Sequence, residues 1–295
     1  MSVLMGLIGM IGWGVYDFAG GVMSRRLGAI PVLLWSQVAG CTIIAVGVMA
    51  AAVATADGQA AELPDPQVLA LALLASSLYC GGYLFFFRGF EKGQISIVAA
   101  TMNAWAVVTM TVAFIFFDQR LNPVQTIGAA AIIAGGSLAC LDWRQVAAQG
   151  VRLSLGVKEA LAGAVLFGLY WNVSEYISED VGWLATTVLV KTGIVAILLA
   201  RLLAGRAARS PRPTRTAWSP RLVAVLVLMG LVEVGAVAAV NYGLVVGDAI
   251  LTTPIASALS VVTIALAVAL LGERVSWPQG LGIAIALAGI VTTSL

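Results

Sequence analysis

Histidine is absent from the 295 residues. Without imidazole there is no Ser-His-Asp triad, no HExxH zinc site and no histidine general base. Cysteine is scarce: Cys41, Cys80 and Cys140 are widely spaced, and each lies inside an apolar run. They form no CxxC motif and read as small packing residues rather than disulfides or ligands. The chain also lacks a Walker-type phosphate loop, a dinucleotide glycine fingerprint and a nucleophile elbow, so nucleotide-driven pumping and hydrolase chemistry have no visible machinery. Charged residues make up 10% of the chain, against about 25% in soluble domains. No cofactor, metal or nucleic-acid partner is expected, and no enzymatic activity.

What remains is apolar: 61% of the residues are hydrophobic. A membrane span needs about 20 apolar residues, and ten candidates lie between charge or turn clusters. They are 2–24, 30–55, 67–88, 94–117, 123–141, 156–178, 182–203, 221–245, 248–271 and 277–295. Little chain is left for a soluble domain. The expected class is an all-α polytopic membrane protein whose surroundings are the lipid bilayer. The first span does not read as a cleaved signal, because Arg25 and Arg26 follow it rather than precede it.

Basic residues are unevenly distributed among the loops. With loops numbered along the chain, the odd ones hold Arg25, Arg26, Arg88, Lys92, Arg144, Arg152 and Lys158, then the arginines between Arg201 and Arg221, and Arg274. The even loops hold only Arg120, and the loop from Asp57 to Asp65 is acidic. By the positive-inside rule the odd loops are cytoplasmic and both termini are outside, in a cell (inner or plasma) membrane.

Sliding the chain against itself by 154 residues aligns its halves without a gap. Gly9, Gly14 and Tyr16 meet Gly163, Gly168 and Tyr170; Arg120, Gln125, Gly128 and Gly135 meet Arg274, Gln279, Gly282 and Gly289. The chain therefore divides into a first five-helix unit at 1–142, a connection at 143–155 and a second unit at 156–295. Five is odd, so the second copy enters the membrane from the opposite side. Ten transmembrane helices as two inverted five-helix repeats is an architecture of secondary transporters, with the site near the midplane between the repeats.

The segment Leu271-Gly272-Glu273-Arg274-Val275-Ser276, followed by Gln279, Gly282 and Ala288-Gly289, resembles the end-of-repeat signature of EamA-type members of the drug/metabolite transporter superfamily. Phe117-Asp118-Gln119-Arg120-Leu121 with Gln125 and Gly128 is a degraded first copy, carrying Gln119 where the family usually has Glu. Trp13-Gly14 and Thr253-Pro254 resemble further family positions in the first and ninth helices. The resemblance implies a transporter that exports, or less often imports, small metabolites, with amino acids or their derivatives as leading substrates. Many such proteins are thought to keep both termini inside, whereas the charges here place them outside.

Three charges lie deep in spans. Lys191 and Glu233 sit about 15 Å from either interface, and Asp17 about 12 Å from Arg25. A charge at such depth costs several kcal/mol and must face protein or a wet cavity. Two readings stand. Lys191 and Glu233 form a structural pair, or Asp17 or Glu233 binds a cationic group or coupling proton while Lys191 meets a carboxylate. Asn103 and Ser257 occupy matching repeat positions, and Thr253, Ser257 and Ser260 share one helix face. Trp13, Trp105, Tyr170 and Trp171 complete the candidate pathway residues. The expected function is a secondary transporter exporting small polar metabolites by alternating access. Alternatives are a proton-coupled drug or cation exporter, an intramembrane enzyme using Ser or Thr beside Lys191, and a scaffold that transports nothing. Homodimerisation is left open.

Overall fold

The computed structural model describes residues 2–55, 64–116, 122–141, 153–207, 218–246, 255–256 and 258–293. Eleven named helices carry the fold: α1 (Ser2–Leu27), α2 (Ala29–Thr55), α3 (Pro66–Lys92), α4 (Ile95–Met102), α5 (Trp105–Phe116) and α6 (Pro123–Cys140) in the first half. In the second half are α7 (Val157–Val181), α8 (Trp183–Ala207), α9 (Pro220–Val246), α10 (Leu259–Leu271) and α11 (Trp277–Thr293). Among the described residues, six helical stretches are long and apolar enough to cross a membrane, α4 and α5 together counting as one. Their starts and stops are local chemistry. Asp65 accepts from the Gln67 N–H at 2.9 Å with Pro66 at the first helical position. Asn122 and Gln125 form a capping box before α6. Gly28 and Gly182 join α1 to α2 and α7 to α8 at φ +83° and +81°, a left-handed conformation that favours glycine.

Those two glycines are 154 positions apart, and the packing repeats at the same offset. The Thr109 hydroxyl donates to the Gly168 carbonyl at 3.3 Å, and the Thr263 hydroxyl donates to the Gly14 carbonyl at 3.0 Å. Gly168 is pressed against Val108, and Gly14 against Val262. In α6 and α11, a Cβ on Gly135 would lie 2.4 Å from the Ala286 nitrogen, while one on Gly289 would lie 2.8 Å from the Ile132 nitrogen. Each of these contacts from the first repeat to the second has a mate running the other way, so a pseudo-twofold axis relates the halves. The small residues let the α6 and α11 backbones approach closely, as expected where lipid offers no hydrophobic drive for association.

The fourth span, expected to run unbroken over 94–117, is instead interrupted at Asn103 and Ala104. There Ala104 N–H reaches back to the Thr101 carbonyl and Val107 N–H to the Ala104 carbonyl, both at 3.1 Å. The second repeat has the same tight turn, with Ala258 N–H to the Ile255 carbonyl and Val261 N–H to the Ala258 carbonyl at 3.3 and 3.0 Å. Hydropathy carries no trace of such a break, because Asn103 and Ala104 interrupt an otherwise apolar run for only one turn.

Candidate functional site

A cavity of about 550 Å³ lies between the repeats, walled by α1, α3, the α4–α5 break, α7, α8, α9 and α10. Its inner part is aromatic. The Tyr79 ring packs edge-on against Phe167 at 5.4 Å and Tyr170 at 5.0 Å, and Tyr83 meets Phe167 at 4.8 Å. Trp171 lies between Trp105 and Tyr170, 5.7 and 5.2 Å away. At its other end the lining is Glu175, Ser178, Trp183 and Thr187, at the end of α7 and the start of α8. The cavity therefore reaches toward the even-loop end of the bundle.

The deep charges meet here. Lys191 Nζ donates to both Glu233 carboxylate oxygens, at 2.6 and 2.7 Å, and to Gln37 Oε1 at 3.2 Å. Tyr79 Oη donates to Glu233 Oε1 at 3.0 Å, and Gln37 Nε2 donates to Tyr16 Oη at 3.3 Å. Tyr16 and Ser36 share a further hydrogen bond of 3.1 Å. Lys191 and Glu233 are 4% and 2% exposed, and both border the cavity while bonding to each other. Gln37 is the repeat mate of Lys191, and Tyr79 is the repeat mate of Glu233. The pseudo-axis passes through this tetrad. The repeats have diverged from one another to place a cation and an anion on one side and two neutral polar groups on the other.

Asp17 is different. It is 5% exposed and lines the cavity, and its Oδ1 accepts no hydrogen bond from any described residue. Its repeat mate is Trp171, which lines the cavity from the other half. Asn103 is buried at the helix break and donates through Nδ2 to Ser260 Oγ at 2.9 Å. Ser257, its matching repeat position, lies outside the described residues, as does Thr253. Trp13, Trp105, Tyr170 and Trp171 all line the cavity. Gln37, Tyr79 and Tyr83 were not singled out from the sequence. The signal that finds Gln37 and Tyr79 is the repeat itself, since they are what the 154-residue register places opposite Lys191 and Glu233. Among the described residues, no three Cys, Asp or Glu side chains are grouped to hold a metal.

The chain matches the family model of the EamA-like transporter family over residues 1–140 and 154–295. No curated protein matches it significantly. A solved crystal structure, described only as that of a protein, is 18% identical and aligns over 99% of this chain and 95% of its own with a TM-score of 0.62. At that identity the likeness bears on the fold alone. With both repeats matched, the chain belongs to the EamA-like transporter family and is a multi-pass membrane transporter of the drug/metabolite type.

Proposed function

We propose that this protein is a secondary transporter that exports small amine-bearing metabolites, amino acids or their derivatives foremost, by alternating access. The carrying observation is Asp17, whose Oδ1 accepts no hydrogen bond from any described residue and which lines an aromatic-walled cavity of about 550 Å³, within the range of small-ligand pockets. A carboxylate buried without a partner is costly, and an ammonium group offsets that cost with a charge-assisted hydrogen bond. The tryptophan and tyrosine faces attract the same cation through their quadrupoles and cover an apolar substrate body. In the empty cavity a proton offsets the same cost, which makes Asp17 a site where substrate and proton exchange. Lys191 spends its three N–H donors on Glu233 and Gln37. None is left to activate a serine or threonine, which favours transport over intramembrane catalysis.

Flux of labelled amino acids in proteoliposomes, beside N-acetylated and decarboxylated analogues, tests this reading. The free amines are expected to move and the acetylated forms to be excluded, with flux rising when a pH gradient is imposed. Equal flux of acetylated and free forms would contradict it. The aromatic walls also favour a second reading, proton-coupled efflux of larger cationic compounds. In that case amino acids fail and organic cations move in the same assay.

The Lys and Arg distribution makes the even loops external, which would open the cavity outward. Cysteines introduced at Ala61 and Ala208 check this with an impermeant thiol reagent on intact cells. Ala61→Cys is expected to label and Ala208→Cys to stay protected. The reverse pattern would invert the orientation.

A further inference from the structure

The odd-loop end of the bundle is held shut by contacts between the repeats. Glu273, in the turn after α10, belongs to the end-of-repeat signature, and its side chain is only 8% exposed. It accepts from the Ile95 and Ser96 N–H groups at 2.8 and 2.9 Å and from the Ser96 hydroxyl at 2.8 Å, so a carboxylate of the second repeat caps the first turn of α4 in the first. Arg25 closes the arrangement. It donates to Glu273 at 3.3 Å and to the Phe90 and Gly93 carbonyls at the end of α3, at 2.8 and 2.6 Å. Beside it Lys92 pairs with Glu159 of α7. Gly93 and Gly156 bring the backbones of the two halves into direct contact, with Val98 packed against both. No residue of this latch lines the cavity.

The repeat register shows what the opposite end has in its place. The mates of Arg25 and Glu273 are Glu179 and Gln119; those of Lys92 and Glu159 are Val246 and Met5; that of Ser96 is Ile250. The repeat register does not reproduce the ionic pair, since an acid and an amide stand at the mates of the arginine and the carboxylate. An inverted-repeat transporter switches between two packings of the same halves that differ by a few kcal/mol. A charged pair that the repeat register does not duplicate biases that balance.

We infer that Glu273 and Arg25 form the gate at the odd-loop end, and that this pairing, which the repeat register does not duplicate, sets the resting state as the one open at the even-loop end. The inference rests on alternating access. Glu273 is a positioning residue: it acts on α4 and α1 rather than on substrate.

Thiol accessibility in purified protein tests it, with Cys41, Cys80 and Cys140 replaced by Ala. Val98→Cys reports the seam, where Val98 is fully buried; Thr187→Cys reports the cavity mouth. Adding Glu273→Gln keeps the shape and removes the charge. It is expected to raise maleimide labelling at the Val98 site and lower it at the Thr187 site, so that the ratio of the two changes by about tenfold, the size of one charged hydrogen bond. Gln119→Glu with Glu179→Arg writes the pair into the other end and is expected to shift both sites the same way. Glu179→Ala alone should move neither site. Unchanged labelling at both sites in folded Glu273→Gln protein would overturn the gate. Flux by the wild-type protein is measured alongside. If it transports while the latch variants leave labelling unchanged, the gate fails and the transport reading stands; if labelling shifts without amine flux, the substrate reading fails instead.

Discussion

Lys191→Met alone is expected to destabilise the protein by about 3–5 kcal/mol, and Glu233→Gln alone to do likewise, because each leaves a buried charge without its partner. The geometry explains why the effect should be large. Lys191 and Glu233 share two short hydrogen bonds at 4% and 2% exposure, so each charge depends on the other rather than on bulk water. The double variant Lys191→Met/Glu233→Gln should recover most of the loss, since no charge is stranded and Tyr79 and Gln37 remain as neutral partners. Denaturant unfolding of the four proteins in detergent gives the cycle directly. Transport separates the two roles left open by the sequence. A double variant that folds and does not pump against a gradient would place Glu233 or Lys191 in the transport cycle. Normal pumping would make the pair structural and leave Asp17 as the deep charge available for coupling.

Asp17→Asn should have the opposite profile: a folded protein with little transport. Its Oδ1 has no hydrogen bond to a described residue to lose, and an amide, like the protonated carboxyl, buries no charge, so stability should hold. An amide keeps the shape but neither ionises nor pairs with an ammonium. Losing one side of a buried charged contact costs about 2–5 kcal/mol, which at the middle of that range is on the order of a hundredfold or more in affinity. Amine flux, and the shift in thermal stability on adding substrate, should both collapse. Wild-type flux through Asp17→Asn would remove this carboxylate from the site.

The structural consequences of Asp17 and of the tetrad were unequally legible. Asp17, Lys191 and Glu233 stand out in any hydropathy reading, because a charge ten residues into an apolar run is anomalous whatever it touches. Gln37 and Tyr79 do not, being ordinary residues for a membrane helix. Their importance comes from the helix rotation that turns both toward one axis. Asn103 shows a related limit. The repeat register pairs it with Ser257, which lies outside the described residues, while its hydrogen bond to Ser260 is a contact that only the packing reveals. Periodicity assigns a face, but not the axial offset of the neighbouring helix.

The sequence by itself determined the number of spans, the duplication, its inversion and the three deep charges, since hydropathy, an odd count and a fixed register are properties of the chain read locally. Only the tertiary structure decided that the fourth span breaks at Asn103, that Lys191 meets Glu233 while Asp17 Oδ1 accepts from no described residue, and that Glu273 reaches across to α4. Contacts across the axis depend on how two halves of nearly equal shape settle against each other. That choice lies in small differences between alternative packings, which no single stretch of sequence contains.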